Sequence, residues 1–142
     1  MTRSDFKKLS EARITDAKVL LGARRFDAAY YLAGYSVECA IKAYIAKQIR
    51  KYQFPEGPEK ARKIYTHNLE DLIKVAELSD QFQKEIKSDA ALETNWGIAK
   101  DWSEQTRYHR NGKIAEKKAK AMIDAVSDPT TECFSVYNDI GK

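Results

Sequence analysis

The stretch from Arg25 to Ile49, RFDAAYYLAGYSVECAIKAYIAKQI, constrains the fold more than any other part of the chain. It holds no proline. Asp27 near its start can act as an N-cap, its carboxylate accepting hydrogen bonds from the free N–H groups of a first helical turn. Tyr30, Ala33, Gly34, Val37, Ile41, Tyr44 and Ile45 recur at helical spacing, and Tyr31, Leu32, Tyr35, Cys39 and Ala43 cover much of the remaining surface. A helix that is apolar nearly all round has to be packed nearly all round. The expectation is a central helix within an α-helical bundle. Glu38, Lys42 and Lys47 interrupt the run too often for a membrane span.

The flanking sequence supplies helices to pack against it. A first helix is expected from Ser4, as its cap, to Ala23, with Phe6, Leu9, Ile14, Ala17, Leu20 and Leu21 as its apolar stripe. Gly22 marks its end, where a left-handed residue is easy, and Arg24-Arg25 form the turn. So short a connection predicts an antiparallel hairpin with the central helix. QFPEGPEKARK then reads as a loop. Thr66 or Asn68 can cap a helix that turns Leu69, Leu72, Ile73, Ala76 and Leu78 inward. A further helix is expected from Asp80 to Asp101, kinked near Ser88, with Phe82, Ile86, Ala90 and Leu92 at helical spacing and Trp96 and Trp102 on similar faces. TRYHRNGK is a polar connection with Asn111-Gly112 as a turn signal. A helix from Lys113 to Val126 follows, with Ile114, Ala119, Met122 and Val126 inward, and Asp128-Pro129 opens a short last one. Strand-type alternation is almost absent. The predicted fold is all-α: an antiparallel up-and-down bundle of four main helices plus short extra ones, in one domain spanning residues 1–142.

Composition narrows the function classes. With 43% hydrophobic and 32% charged residues the chain has the balance of a soluble globular protein. No apolar run opens it, so a cytoplasmic location is expected. Cys39 reads as a small buried hydrophobe, and a disulfide with Cys133 is not favoured without an export signal. His67 and His109 are the only histidines, and no Cys/His cluster has metal-ligand spacing, so neither a metal nor another cofactor is expected. A net charge of +4 permits contact with nucleic acid without requiring it.

The sharpest cluster is Arg107, Tyr108, His109 and Arg110, which with Lys113, Lys117 and Lys118 makes a basic patch near a helix start. Guanidinium groups pair bidentately with phosphate, a tyrosine can stack on a base, and a histidine can move a proton from a ribose hydroxyl. The plainer reading is a solvated turn with Arg107 tied to Glu104 or Asp101. Glu38 in the apolar helix needs a partner. It either faces a cleft and supports Arg107, or joins a structural pair, with Lys42 one turn on; the structural pair is the preferred reading. His67 reads as a cap or a loop-fixing hydrogen bond. Tyr30, Tyr31, Tyr35 and Tyr44 read as core or dimer interface. Gly34 would let a second helix approach closely, so part of the central helix is expected to form a dimer seam.

Three pieces of this chain look familiar together: Tyr31-Leu32-Ala33-Gly34-Tyr35-Ser36-Val37-Glu38-Cys39-Ala40-Ile41-Lys42-Ala43, Thr66-His67-Asn68-Leu69-Glu70-Asp71-Leu72, and Arg107-Tyr108 after a tryptophan-containing helix. In order and spacing, along nearly the whole chain, they resemble HEPN-domain proteins (higher eukaryotes and prokaryotes nucleotide-binding). The resemblance implies a helical bundle, usually a homodimer, that binds nucleotide or RNA and is often paired with a minimal nucleotidyltransferase in toxin–antitoxin systems. It carries the binding role to Arg107, Tyr108, Arg110 and Lys113, with Glu38 as support. Many members cleave RNA without metal, using Arg, four to six residues, then His. Here that count from Arg107 reaches Gly112, Lys113 or Ile114, and His109 lies only two residues away. Arg62 and His67 have the spacing but precede the third helix. Two alternatives therefore stand beside the binding module. One is a metal-independent endoribonuclease in which Arg107 and His109 do the chemistry. The other is a structural module for protein–protein interaction.

Overall fold

A computed structural model describes residues 2–52, 66–75, 83–84, 87–105 and 112–127, with backbone alone at 47–52 and 75. These residues are mostly helical, with no strand among them: α1 (Arg3–Gly22), α2 (Phe26–Tyr52), α3 (Leu69–Val75), α4 (Ala90–Ala99) and α5 (Glu116–Ser127). The fold is all-α. Phe82 and Ile86 of the helix expected from Asp80, and the short helix expected from Asp128 onward, fall outside the described residues.

α2 is the organising element, as its sequence demands. Ala29, Tyr30, Ala33, Val37, Ala40, Ile41, Tyr44 and Ile45 are all buried in one core with Leu69, Leu72, Leu92, Trp96, Trp102, Ile114, Ala119, Met122 and Ile123. α2 packs on α1, α3 and α5, and α5 packs also on α1 and α4. From Ala29 to Ile45 most of α2 is covered, which is why its apolar residues ring the helix there. None of the described helices is long and apolar enough to cross a membrane.

α1 folds back along α2, and two serines tie them. The Ser10 hydroxyl donates to the Ser36 carbonyl at 2.7 Å, and the Ser36 hydroxyl donates to the Ser10 carbonyl at 2.7 Å. Small side chains let the backbones approach, and each hydroxyl finds a partner that burial would otherwise deny it. The α1 stripe is shallower than expected. Ala17 is buried, while Phe6, Leu9, Ile14, Leu20 and Leu21 are half-buried.

Both ends of α1 correct the sequence reading. Thr2, rather than Ser4, is the N-cap: its hydroxyl accepts from the Asp5 amide at 3.1 Å, and the Asp5 carboxylate accepts from the Thr2 amide at 2.9 Å. That amide bond holds the Asp5 carboxyl below its ordinary range. At the other end Gly22 stays helical, and Arg24 takes the left-handed conformation at φ 61°. The Arg24 amide donates to the Leu21 carbonyl and the Arg25 amide to Leu20, a Schellman closure with arginine where glycine is usual.

The helix expected from Asp80 to Asp101 is broken rather than kinked. Asp89 leaves helical geometry at φ −137°, ψ 103°, and its carboxylate accepts from the amides of Ala91 and Leu92 as N-cap of α4. Ala90, expected inward, is exposed. α4 ends at Ala99, so Trp102 lies past it on a turn rather than sharing a helix face with Trp96; both are nevertheless buried. Asn68 caps α3, accepting from the Asp71 amide at 3.0 Å, and Leu69, Leu72 and Ile73 are buried as expected. α5 starts at Glu116, three residues later than Lys113.

Candidate functional site

Of the residues singled out for ligand contact, Arg107, Tyr108, His109 and Arg110 lie outside the described residues, while Lys113 is described and exposed. Its backbone position is set by an unexpected residue. α2 begins at Phe26, so Asp27 is inside the first turn rather than capping it. Its carboxylate reaches across the chain instead, accepting from the backbone amides of Gly112, at 2.5 Å, and Ile114, at 2.7 Å. Lys113 is the residue between them. Gly112 takes φ 90°, a backbone region open to glycine at no steric cost. The loop before α5 is thereby pinned to the α1–α2 turn, and Arg24 and Glu116 approach to 3.8 Å across the same junction. Between them lies an open cleft of about 270 Å³, lined by Arg24, Arg25, Phe26, Asp27 and Gly112 among others. The Arg24 guanidinium lies 5.3 Å from the centre of the Phe26 ring. An aspartate at the start of a helix reads as a cap in sequence, and no local signal marks it for a partner 85 residues away.

Glu38 occupies a second polar cluster, inside the fold. It is 2% exposed, and a bare carboxylate there would be costly. Lys42 Nζ donates to its Oε2 at 3.3 Å, which is the structural pair that helical spacing suggested. Its Oε1 lies 2.9 Å from His67 Nδ1. The other ring nitrogen, Nε2, is 3.3 Å from Glu104 Oε2. Glu38, His67 and Glu104 thus tie α2 to the lead-in of α3 and to the turn beyond α4. His67 fixes a loop, as its sequence position implied, but through side-chain partners rather than a helix cap. One ring nitrogen is hydrogen-bonded to Glu38 and the other faces Glu104, which makes the cluster a clasp.

Tyr35 and Cys39 lie one turn apart beside this clasp. Burial first, and then the neighbouring Cys39, push the Tyr35 hydroxyl up to about 12. Burial and then Glu38 push the Cys39 thiol up to about 11, so Cys39 behaves as the small apolar residue expected. Cys133 is outside the described residues. Gly34 also departs from expectation: a Cβ there would sit 2.2 Å from the Trp102 indole. Its bare face receives Trp102 of the same chain, not a second copy's helix. Tyr31 and Tyr35 stack at 6.2 Å and 8°, and Tyr31 leans on Trp102 at 5.9 Å.

Among the described residues no three His, Cys, Asp or Glu side chains are grouped so as to hold a metal ion. Compared with models of protein families, with curated proteins and with solved structures, the chain matches none.

Proposed function

We propose that this protein is a HEPN-like nucleotide- or RNA-binding module: an antiparallel bundle of four main helices, cytoplasmic and homodimeric, acting with a minimal nucleotidyltransferase in a toxin–antitoxin-type pair. Arg107, Tyr108, Arg110 and Lys113 are its ligand contacts in this reading. One observation carries it. Lys113 is exposed on a loop that Asp27 holds against the Arg24-Arg25 turn, so the run from Arg107 to Arg110 leads, two residues later, into an anchored and positively charged corner. Guanidinium and ammonium groups suit phosphate. The half-buried Tyr31, Leu32 and Tyr35 on α2 leave apolar surface for the dimer seam.

The test is titration of labelled RNA and labelled ATP into wild type and Arg107→Ala, in EDTA. Binding that Arg107→Ala weakens supports the module. Equal affinity for both ligands would remove Arg107 from the site. RNA cleavage in EDTA that is lost in both Arg107→Ala and His109→Ala would turn the reading to the endoribonuclease. Absence of all binding, with a stable complex to another protein, would turn it to the structural interaction module. Sedimentation as a strict monomer at micromolar concentration would count against the homodimer.

A further inference from the structure

We infer that the cleft between the α1–α2 turn and the loop before α5 seats a phosphate of an RNA backbone, with Arg24 and Arg25 as its cations. The inference rests on the RNA-binding reading and extends it to residues that reading does not contain.

Shape is the first argument. The cleft, about 270 Å³ and open to solvent, is lined by Arg24, Arg25, Phe26 and Asp27 on one side and Gly112 and Ile114 on the other. It is smaller than the roughly 300–1,000 Å³ of pockets that enclose a whole drug-sized ligand. A phosphate with part of its sugar is the right size, the rest of the strand running outside.

Charge is the second. Arg24 is 71% exposed, and its ion pair to Glu116 is long, at 3.8 Å, and solvated on both sides. Such a pair holds the guanidinium weakly. Arg25 is exposed. Asp27, the carboxylate in the wall, directs one oxygen to each of two backbone amides, Gly112 and Ile114. Lys113, Lys117 and Lys120 are exposed on the loop and along α5. Together with the two arginines they outnumber Asp27 and Glu116, and they are spread over the loop and the first turns of α5 rather than gathered in the cleft lining. That layout fits a polyanionic strand better than a single free nucleotide.

The backbone supplies the third. Arg24 holds the left-handed position of the turn, φ 61°, where glycine would be strain-free, while the neighbouring Gly22 sits inside the helix. Strain of this kind persists where the side chain is needed at that spot. The Phe26 ring lies 5.3 Å from the guanidinium, a cation–π contact, and the ion pair to Glu116 is loose enough to yield to phosphate.

The test compares wild type, the double variant Arg24→Gly/Arg25→Gln, and Arg107→Ala. Glycine at position 24 relieves the left-handed strain, so the double variant should keep the wild-type circular dichroism and melting temperature. Anisotropy is read for a fluorescein-labelled single-stranded RNA of about 12 nucleotides, enough to span one basic groove, and for labelled ATP, over a series of salt concentrations. The expected result is RNA binding by the double variant about tenfold weaker at low salt. Its log–log salt slope should be shallower by about 1.4, two phosphate contacts at about 0.7 each on a single strand. Unchanged affinity and slope overturn the inference, as does weaker binding with an unchanged slope. If Arg107→Ala alone loses RNA, the inference fails and the wider reading stands. If wild type binds ATP and no RNA, the backbone assignment fails. If wild type binds neither, the RNA-binding reading falls and this inference with it.

Discussion

Gly34 is the residue whose role changes most between sequence and structure. In sequence it is a small residue in a long helix, inviting a partner helix. In the fold, the Trp102 indole lies where its Cβ would be, 2.2–2.3 Å from three ring atoms. The two readings predict opposite signs for one substitution. A glycine in an open helix interior gains about 1 kcal/mol on replacement by alanine. Here Gly34→Ala should instead lose about 1–3 kcal/mol, because a large ring in a packed core cannot move aside cheaply. A lowered urea midpoint, with a shift in tryptophan emission, is the expected measurement; a raised midpoint would mean that Trp102 does not rest on Gly34. Cys39 tells a similar story with the other outcome. Its burial was legible from the apolar run around it, since a helix surrounded by others leaves no side for a thiol to reach water.

At the scale of the element, the joints between helices were harder to read than the helices. Each helix announces itself by its own period and the caps of α1, α3 and α4 are local, whereas the ties between helices are made by side chains from elsewhere. Asp27 is the plainest case. Asp27→Ala removes the acceptor for the Gly112 and Ile114 amides, at a cost of about 1–3 kcal/mol if they stay unpaired. Faster hydrogen exchange at those two amides is expected, with little change at Ala33 or Val37 deep in α2. Exchange unchanged at Gly112 and Ile114 would refute the tie. The clasp makes a second prediction. Glu38→Ala strands Lys42, whose side chain is 11% exposed, and should cost about 3–5 kcal/mol, as breaking a buried pair does. Glu38→Leu/Lys42→Leu, which removes both charges and fills the space, should recover most of it. A double-mutant cycle by chemical denaturation measures that coupling; a double variant as unstable as the sum of the singles would show that the pair is not coupled.

The whole molecule carries its stability through one core centred on α2, and its response to alkali follows from what that core buries. The Cys39 thiol is raised from an ordinary 9.0 to about 11, and the Tyr35 hydroxyl from 10.0 to about 12. Above pH 9 the unfolded thiol loses its proton while the folded one keeps it, and the tyrosine does the same above pH 10. Both contributions are complete below those values and vanish as pH climbs toward the folded ones. The urea midpoint should therefore fall from about pH 9 upward. In Cys39→Ala the fall should begin about one unit later, near the ordinary tyrosine range. In a Cys133→Ser background, Cys39 should react with thiol reagents at pH 8 only as fast as the protein unfolds. A midpoint flat to pH 11, or rapid labelling of the native state, would contradict this burial.

The amino-acid order alone determined that this chain is helical, that Arg25–Ile49 lies at its centre, and that Glu38 must find a partner in Lys42 or beyond. Those conclusions follow from periodicity and from the cost of burying polar groups, both of which act over a few residues. Tertiary structure alone decided that Trp102 covers Gly34, that Asp27 holds the loop around Lys113, that His67 bridges Glu38 and Glu104, and that Arg24 rather than Gly22 takes the left-handed position of the turn. Each of these joins segments far apart in sequence, or gives one residue's expected task to another. A contact of that kind leaves no period behind, because its geometry exists only once the helices have packed.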